Sequence, residues 1–469
     1  MELKRYWRRA GMLVLALGLV ATGCRGGGET ASEDTEEATA SAEDTEATGD
    51  ESATEEESAS EGSEEESASG EIATGEGVTE EPCPSAVNAD NGCIYLGTIS
   101  DLTAGPFSAL GPEITRSQEA FWRTVNEDGG IGGFDIDVTT YVRDNLYNPE
   151  THTQVYQEIK PDILALAQTL GSPTTFAIID DLASSSIVAA PASWTSAWAF
   201  QDVIVESGNN YCIESMNGVD YALETYEGIE SVMAIHLPGD YGDDAAAGAR
   251  IASEANGLTF ADVPTTSGQD NQAGAIDALV TQAPDLAFIT TGPTDMATIV
   301  GQAAARGFTG RVIGTSPTWN PGIVQSPAFP AVEQLYIQSG PWASYEADTP
   351  GHQAMRDALG EGVTGNDGLT SGWVWSYPLR AALEAAAEAG DLTREGLLEA
   401  VTSLEEVDYQ GMLPEGAGNY AAEPDDAAIR GTVFSRPDAA SVTGVTLITE
   451  DFYTGPTAEA YELSAPCYE

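Results

Sequence analysis

The chain has 469 residues, 76 of them acidic against 17 lysines and arginines, for a formal net charge of −59. Such a charge excludes nucleic acid as a partner, because affinity for a phosphate backbone comes from neutralising it with basic side chains. At 42% hydrophobic residues the sequence can still bury a core, and its length suits more than one domain.

Lys4, Arg5, Arg8 and Arg9 precede an apolar run over 12–21, and the small residues Thr22 and Gly23 lead into Cys24. A basic start, a short apolar core and a small-residue exit form an export signal over 1–23. The run is shorter than the ~20 residues that span a bilayer. The string Ala21-Thr22-Gly23-Cys24 resembles a bacterial lipobox, which implies cleavage before Cys24 and lipidation of its thiol. The protein would then sit outside the cytoplasm, held on the bacterial cell membrane by its acyl chains. Arg8-Arg9 also matches part of a twin-arginine signal.

Residues 24–82 read as the lipidated cysteine and a disordered linker. Between 29 and 81 there are 21 acidic residues, and no lysine or arginine occurs between Arg25 and Arg116. With few large apolar side chains this stretch cannot offset the entropy of ordering, and like charges extend it. The remainder carries 12 basic against 54 acidic residues, about −42, a composition suited to high salt.

Cys83, Cys93, Cys212 and Cys467 are an even set in an exported chain, which points to disulfides. Of the three pairings, position favours Cys83 with Cys93, closing a short loop, and Cys212 with Cys467, pinning the C-terminal tail near mid-chain. No Cys-x-x-Cys occurs, and His152, His236 and His352 are scattered, so no metal site is expected.

From residue 94, short β-rich runs alternate with helical patterns. Strands are predicted over 94–99, 136–142, 163–167, 187–190, 231–236, 259–263, 286–290 and 311–314. Helices are predicted over 114–128, 175–184, 243–256, 272–282 and 295–305. In the first of these, Ile114, Phe121, Trp122 and Val125 form one apolar face. Such alternation implies parallel sheets covered by helices. It restarts after Asn209-Asn210, giving two α/β units. Later helices over 350–361, 372–389 and 393–403, with β-like runs near Thr432 and Val445, imply that the chain crosses between the units more than once.

In open parallel sheets, ligands bind beyond the carboxyl ends of the strands. Here those loops are rich in hydroxyls, glycine and aromatics, which suits a small solute with one polar end. The string Gly129-Gly130-Ile131-Gly132-Gly133 follows a helix and leads into a strand, so it is a helix stop and turn rather than a phosphate loop. No nucleophile elbow and no His-Glu-x-x-His occurs, and no cofactor motif stands out.

The strings IYLGTISDLTAGPFSALG, AFWRTVNEDGGIGG and YVRDNLYNPETH resemble type I periplasmic solute-binding proteins of ABC transporters, in the branched-chain amino acid and amide family. The resemblance implies an α/β fold of two Rossmann-like lobes joined by a three-crossing hinge. The first lobe would comprise 83–208 and 341–428, the second 209–340, with 429–469 returning to it. It also implies donors for a ligand carboxylate on the Gly171-Ser172 loop and at Ser193 and Thr195. Tyr241 matches an aromatic of the second lobe, Phe107 and Leu110 lie on the first loop, and Trp373 matches another pocket aromatic. Trp194 is either a pocket neighbour or core.

Two positions depart from the pattern. Ser316 stands where amino acid binders carry an acid, and Gly292 where they carry an aromatic. Asp295 could replace the acid or could only cap its helix. The function implied is capture of an amino acid, amide or small carboxylic acid for an ABC permease, without a cofactor and without breaking a bond. A ligand-sensing co-receptor of the same fold and a secreted hydrolase are the alternatives.

Overall fold

The computed structural model describes residues 72–449 and 451–469, so the signal segment, Cys24 and the acidic stretch to residue 71 lie outside the described residues. The apolar runs become two main sheets. The strands of the first are β2 (Val78–Thr79), β3 (Gly92–Ser100), β4 (Phe134–Asp144), β5 (Ala165–Leu170) and β6 (Ala189–Ala192), while β1 (Ala73–Thr74) belongs to a separate two-stranded sheet. Strand β3 pairs in parallel with β4 and β5, and β5 with β6, while β2 runs antiparallel to β3 at Cys93 and Ile94. Strands β3 and β5 are buried almost throughout because both faces are covered.

The helix Gly111–Glu127 lays Ile114, Phe121, Trp122 and Val125 into the core of this sheet. It stops at the glycine string: Gly129 and Gly130 have φ of 113° and 77°, a region that favours glycine.

The second sheet has the order β14-β13-β11-β10-β9-β7-β8, from β7 (Ser231–His236), β8 (Thr259–Pro264), β9 (Leu286–Thr290), β10 (Arg311–Gly314), β11 (Tyr336–Gly340), β13 (Val433–Pro437) and β14 (Val445–Leu447). The five strands from β8 to β11 are parallel, and β13 joins β11 antiparallel. Between the sheets the chain passes three times: after β6, after β11, and into β13. The fold is that of two Rossmann-like lobes with a three-crossing hinge. Helices Asp367–Val374 and Ser376–Ala389 belong to the core of the first sheet.

The crossings are fastened to each other. Asn209 and Asn217 both donate side-chain N–H to Thr432 Oγ1, at 2.6 and 2.8 Å, tying the first passage to the third. Gly208, at φ 99°, touches the second: a Cβ there would lie 2.6 Å from Pro341 Cβ.

Two expectations need correction. The linker does not run unfolded to residue 82, because β1 pairs with β12 (Asp391–Leu392), and β2 pairs with β3. Backbone pairing orders 73–74 and 78–79 with little apolar surface. The helix expected over 175–184 is two short ones, Ser172–Phe176 and Ile179–Ser184. The loop carrying Asn209 and Asn210 leads into the helix Tyr211–Thr225, which Asn210 caps by accepting from Ile213 N.

Disulfides join Cys83 to Cys93 and Cys212 to Cys467, across 10 and 255 residues. Because the loop closed by the second is far longer, C467S should lower stability by up to about 5 kcal/mol and C93S by up to about 3 kcal/mol. Urea melts of the two variants test this ranking, and equal losses would refute it.

Candidate functional site

Each loop at the carboxyl end of a strand is shaped by a local device. After β3, the Asp101 carboxylate accepts from Gly105 N and Phe107 N, both at 2.8 Å, and folds the loop so that Phe107 and Leu110 turn inward. After β5, Gly171 adopts φ 96°, and a Cβ there would meet the Tyr147 ring at 2.5 Å, so only glycine fits. Ser172 opens the next helix, and β6 ends at Ala192 before Ser193 and Trp194.

From the second lobe come Tyr241, whose hydroxyl is 3.0 Å from Thr315 Oγ1, and Ser316 and Pro317 beyond β10. The helix Asp367–Val374, capped by Asn366, supplies Asp367, Gly368 and Ser371, and Trp375 follows it.

These residues enclose a cavity of about 40 Å³ between the two lobes. Its wall is a chain of ring contacts. Phe107 meets Tyr241 edge-on at 5.8 Å, Tyr241 meets Tyr211 at 4.6 Å, and Tyr211 stacks on Trp194 at 4.8 Å. Trp194 continues to Trp342 and Trp375 at 5.2 and 5.6 Å. Two buried polar atoms in this wall, Ser172 Oγ and Trp375 Nε1, have no hydrogen-bond partner. Buried donors left in this state are costly unless a bound molecule completes them.

A second, polar space of about 10 Å³ adjoins the first and shares Ser316 and Asp367 with it; Gln338, Ser339 and Trp342 also line it. Gln338 Nε2 donates to Asp367 Oδ2 across the lobes. Burial pushes the Asp367 carboxyl above the usual range, and the Gln338 bond offsets part of that.

Glu214, fully buried, accepts from Trp194 Nε1 at 3.1 Å and from Ser339 Oγ, so it stitches the first lobe to β11. Burial raises its pKa from 4.5 to about 7, against the lowering effect of those two donors. Asp244 is raised to about 7 by the same cause, and accepts from Ser196 N and Cys212 N beside the first crossing.

Of the residues singled out in the sequence, Phe107, Leu110, Gly171, Ser172, Ser193, Trp194, Tyr241 and Ser316 line the cavity; Thr195, Gly292, Asp295 and Trp373 do not. Trp373 instead packs in the first lobe against Phe121 at 5.0 Å and donates to Tyr377 Oη at 3.0 Å. Asp295 accepts from Gly268 N at 2.9 Å and holds that loop rather than facing the cavity. Gly292 has a different role: a Cβ there would lie 2.6 Å from Pro106 O, so its lack of a side chain lets the lobes meet. The sequence reading missed Tyr147, Tyr211, Asp367 and Trp375. Among the described residues, the groupings spaced for a metal consist of the bridged cysteines with Asp137 or Asp244, and those sulfurs are already committed to disulfides.

Residues 94–440 match the family model described as periplasmic binding protein. The chain belongs to that family. Its fold is the type I fold of ABC-transporter binding proteins. A fatty acid ABC transporter substrate-binding protein from Thermomonospora curvata is 26% identical, with a TM-score of 0.75 over 84% of this chain and 97% of that one. A branched chain amino acid ABC transporter from Thermus thermophilus with bound valine is 17% identical, with a TM-score of 0.68 over 79% and 98%. A leucine-binding protein from Thermotoga maritima is 16% identical, with a TM-score of 0.63 over 76% and 97%. No curated protein matches the chain.

Two outcomes follow from the geometry. G292F should hold the lobes apart, giving a larger radius of gyration in solution scattering than the parent protein; an unchanged radius would show that the contact at Pro106 is unimportant. For Glu214, the unfolded carboxyl releases its proton near 4.5 and the native one near 7. Between those values the unfolded chain binds fewer protons, so raising the pH favours unfolding. E214Q should therefore gain stability over the parent as pH rises from 5 to 8, by on the order of 2 kcal/mol. A pH-independent difference in urea melts would refute this.

Proposed function

We propose that this protein is an extracytoplasmic substrate-binding lipoprotein, which captures a small solute between its lobes and delivers it to an ABC importer. The observation that carries the reading is the cavity at the strand ends, walled by aromatic rings from both lobes and holding the unpartnered donors Ser172 Oγ and Trp375 Nε1. Rings of that kind cover an apolar body while a few fixed polar groups orient one end. Phe107, Leu110, Gly171, Ser172, Ser193 and Trp194 offer the first lobe's share, and Tyr241 and Ser316 the second's. Gly292, Asp295 and Trp373 act from behind as supports, and Thr195 follows Trp194 outside the cavity wall.

Contacts from the second lobe exist only when the cleft is shut, so a ligand that bridges both lobes favours the closed form by those contacts. The groups here bind and orient a solute, and no bond is broken. The solute is an amino acid, an amide or a small carboxylic acid. Fatty acid in the name of the Thermomonospora protein and valine in the Thermus one agree with a partly apolar ligand. Delivery from the membrane surface rests on Cys24 and its lipobox-like neighbours, with the acidic linker as spacer.

The test is a thermal-shift and tryptophan-fluorescence panel of amino acids, amides and small carboxylic acids. A saturable rise in melting temperature with no product formed is the expected result. S172A should weaken the best ligand about 10-fold, as loss of a buried hydrogen bond does. C24S should release the protein from the membrane fraction. Absence of any stabilising solute, or turnover of one, would sink the reading.

A further inference from the structure

The annex beside the main cavity is built to receive hydrogen-bond donors. Asp367 lines both spaces, and its Oδ2 is taken by Gln338 Nε2. Gln338 is 4% exposed, and its Oε1 is buried with no partner. The annex volume of about 10 Å³ is that of one water-sized group, which is also the size of an ammonium or amide nitrogen.

The surrounding charge has one sign. Among the described residues no lysine, arginine or histidine lines either space, Glu214 lies immediately behind Trp194, and the chain from residue 82 on carries about −42. An anionic head beside Asp367 would add negative charge to a desolvated carboxyl and could not stabilise its ionised form, and the field of the folded part would repel it on approach. A cationic head meets a carboxylate, and its apolar body lies among Trp194, Trp375 and Tyr211, whose faces also attract cations.

We propose that Asp367 and Gln338 form the head-group subsite of this cleft, selecting a solute that bears an ammonium or amide N–H and carries no net negative charge. This rests on the substrate-binding reading above. Asp367 offers its carboxyl from the first lobe, and Gln338 its amide from the second. Trp342 Nε1, an unpartnered donor also lining the annex, matches the carbonyl of an amide head.

Three probes of one skeleton separate the cases: isopentylamine, isovaleramide and isovalerate, titrated by calorimetry into the purified full-length protein at neutral pH. The amine and the amide should bind and isovalerate should not. D367N should weaken the amine about 10- to 100-fold, the range expected when a hydrogen bond to a charged group is lost, and leave the amide within about 3-fold. Q338M should weaken both, which provides a second variant if D367N folds poorly. Isovalerate binding as tightly as the amine, or amine affinity unchanged in both variants, overturns the subsite. Failure of all three probes while another solute of the wider panel stabilises the protein also overturns it, leaving the binding function intact. Failure of every solute overturns both.

Discussion

Carboxylates buried without a cation are the constraint around which this cleft is arranged. Glu214 and Asp244 are fully buried, Asp367 is nearly so, and each is held by hydroxyl, indole, amide or backbone donors rather than by an arginine or lysine. An ionised carboxylate in such a place is costly unless its lone pairs are satisfied, and keeping the proton relieves part of the cost. All three lie where the lobes meet. The seam is therefore stabilised less than an apolar core contact of the same area would be, and so the closed form can be tipped by a modest ligand.

Glycine provides the other half of that arrangement. Gly208 lets the first and second crossings touch at Pro341, and Gly292 lets the second lobe reach Pro106 of the first. Both contacts are backbone-close and neither contributes much apolar burial. They set how far the lobes can close, while the aromatic chain from Phe107 through Tyr241 and Tyr211 to Trp194 fills what remains.

Much of the fold was legible because its strands are short apolar runs bounded by turn residues. Strands β7, β9 and β10 lie on 231–236, 286–290 and 311–314, the ranges read from the sequence. Strand β11 was not, since Gln338 and Ser339 break its apolar pattern although both are buried. The helix Tyr211–Thr225 escaped for the same reason. Its buried residues include Glu214, Ser215, Asn217 and Asp220, so no apolar stripe of period 3.6 appears. In the site, strand-end loops were found by position alone. Asp367 and Trp375 were not, because their helix returns to the first lobe from a distant part of the chain and only tertiary packing places it. Trp373 and Trp375 differ by two residues, about 200° around a helix, so one faces the core and the other the cleft.

With Asp367 as the proposed head-group acid, its place on the first lobe would set the order of events in capture. Where an acid at the Ser316 position would bind a head group from the second lobe, Asp367 sits on the same lobe as Ser172, Ser193 and Trp375. A solute can then engage both its apolar body and its head group on one lobe while the cleft is open. Tyr241, Ser316 and Gln338 come from the second lobe, and the Gln338 amide donates to Asp367 across the cleft. On the proposed subsite, the first lobe would supply most of the affinity, and the second would report occupancy by closing. That division suits a protein whose liganded form must be distinguishable to whatever receives the solute.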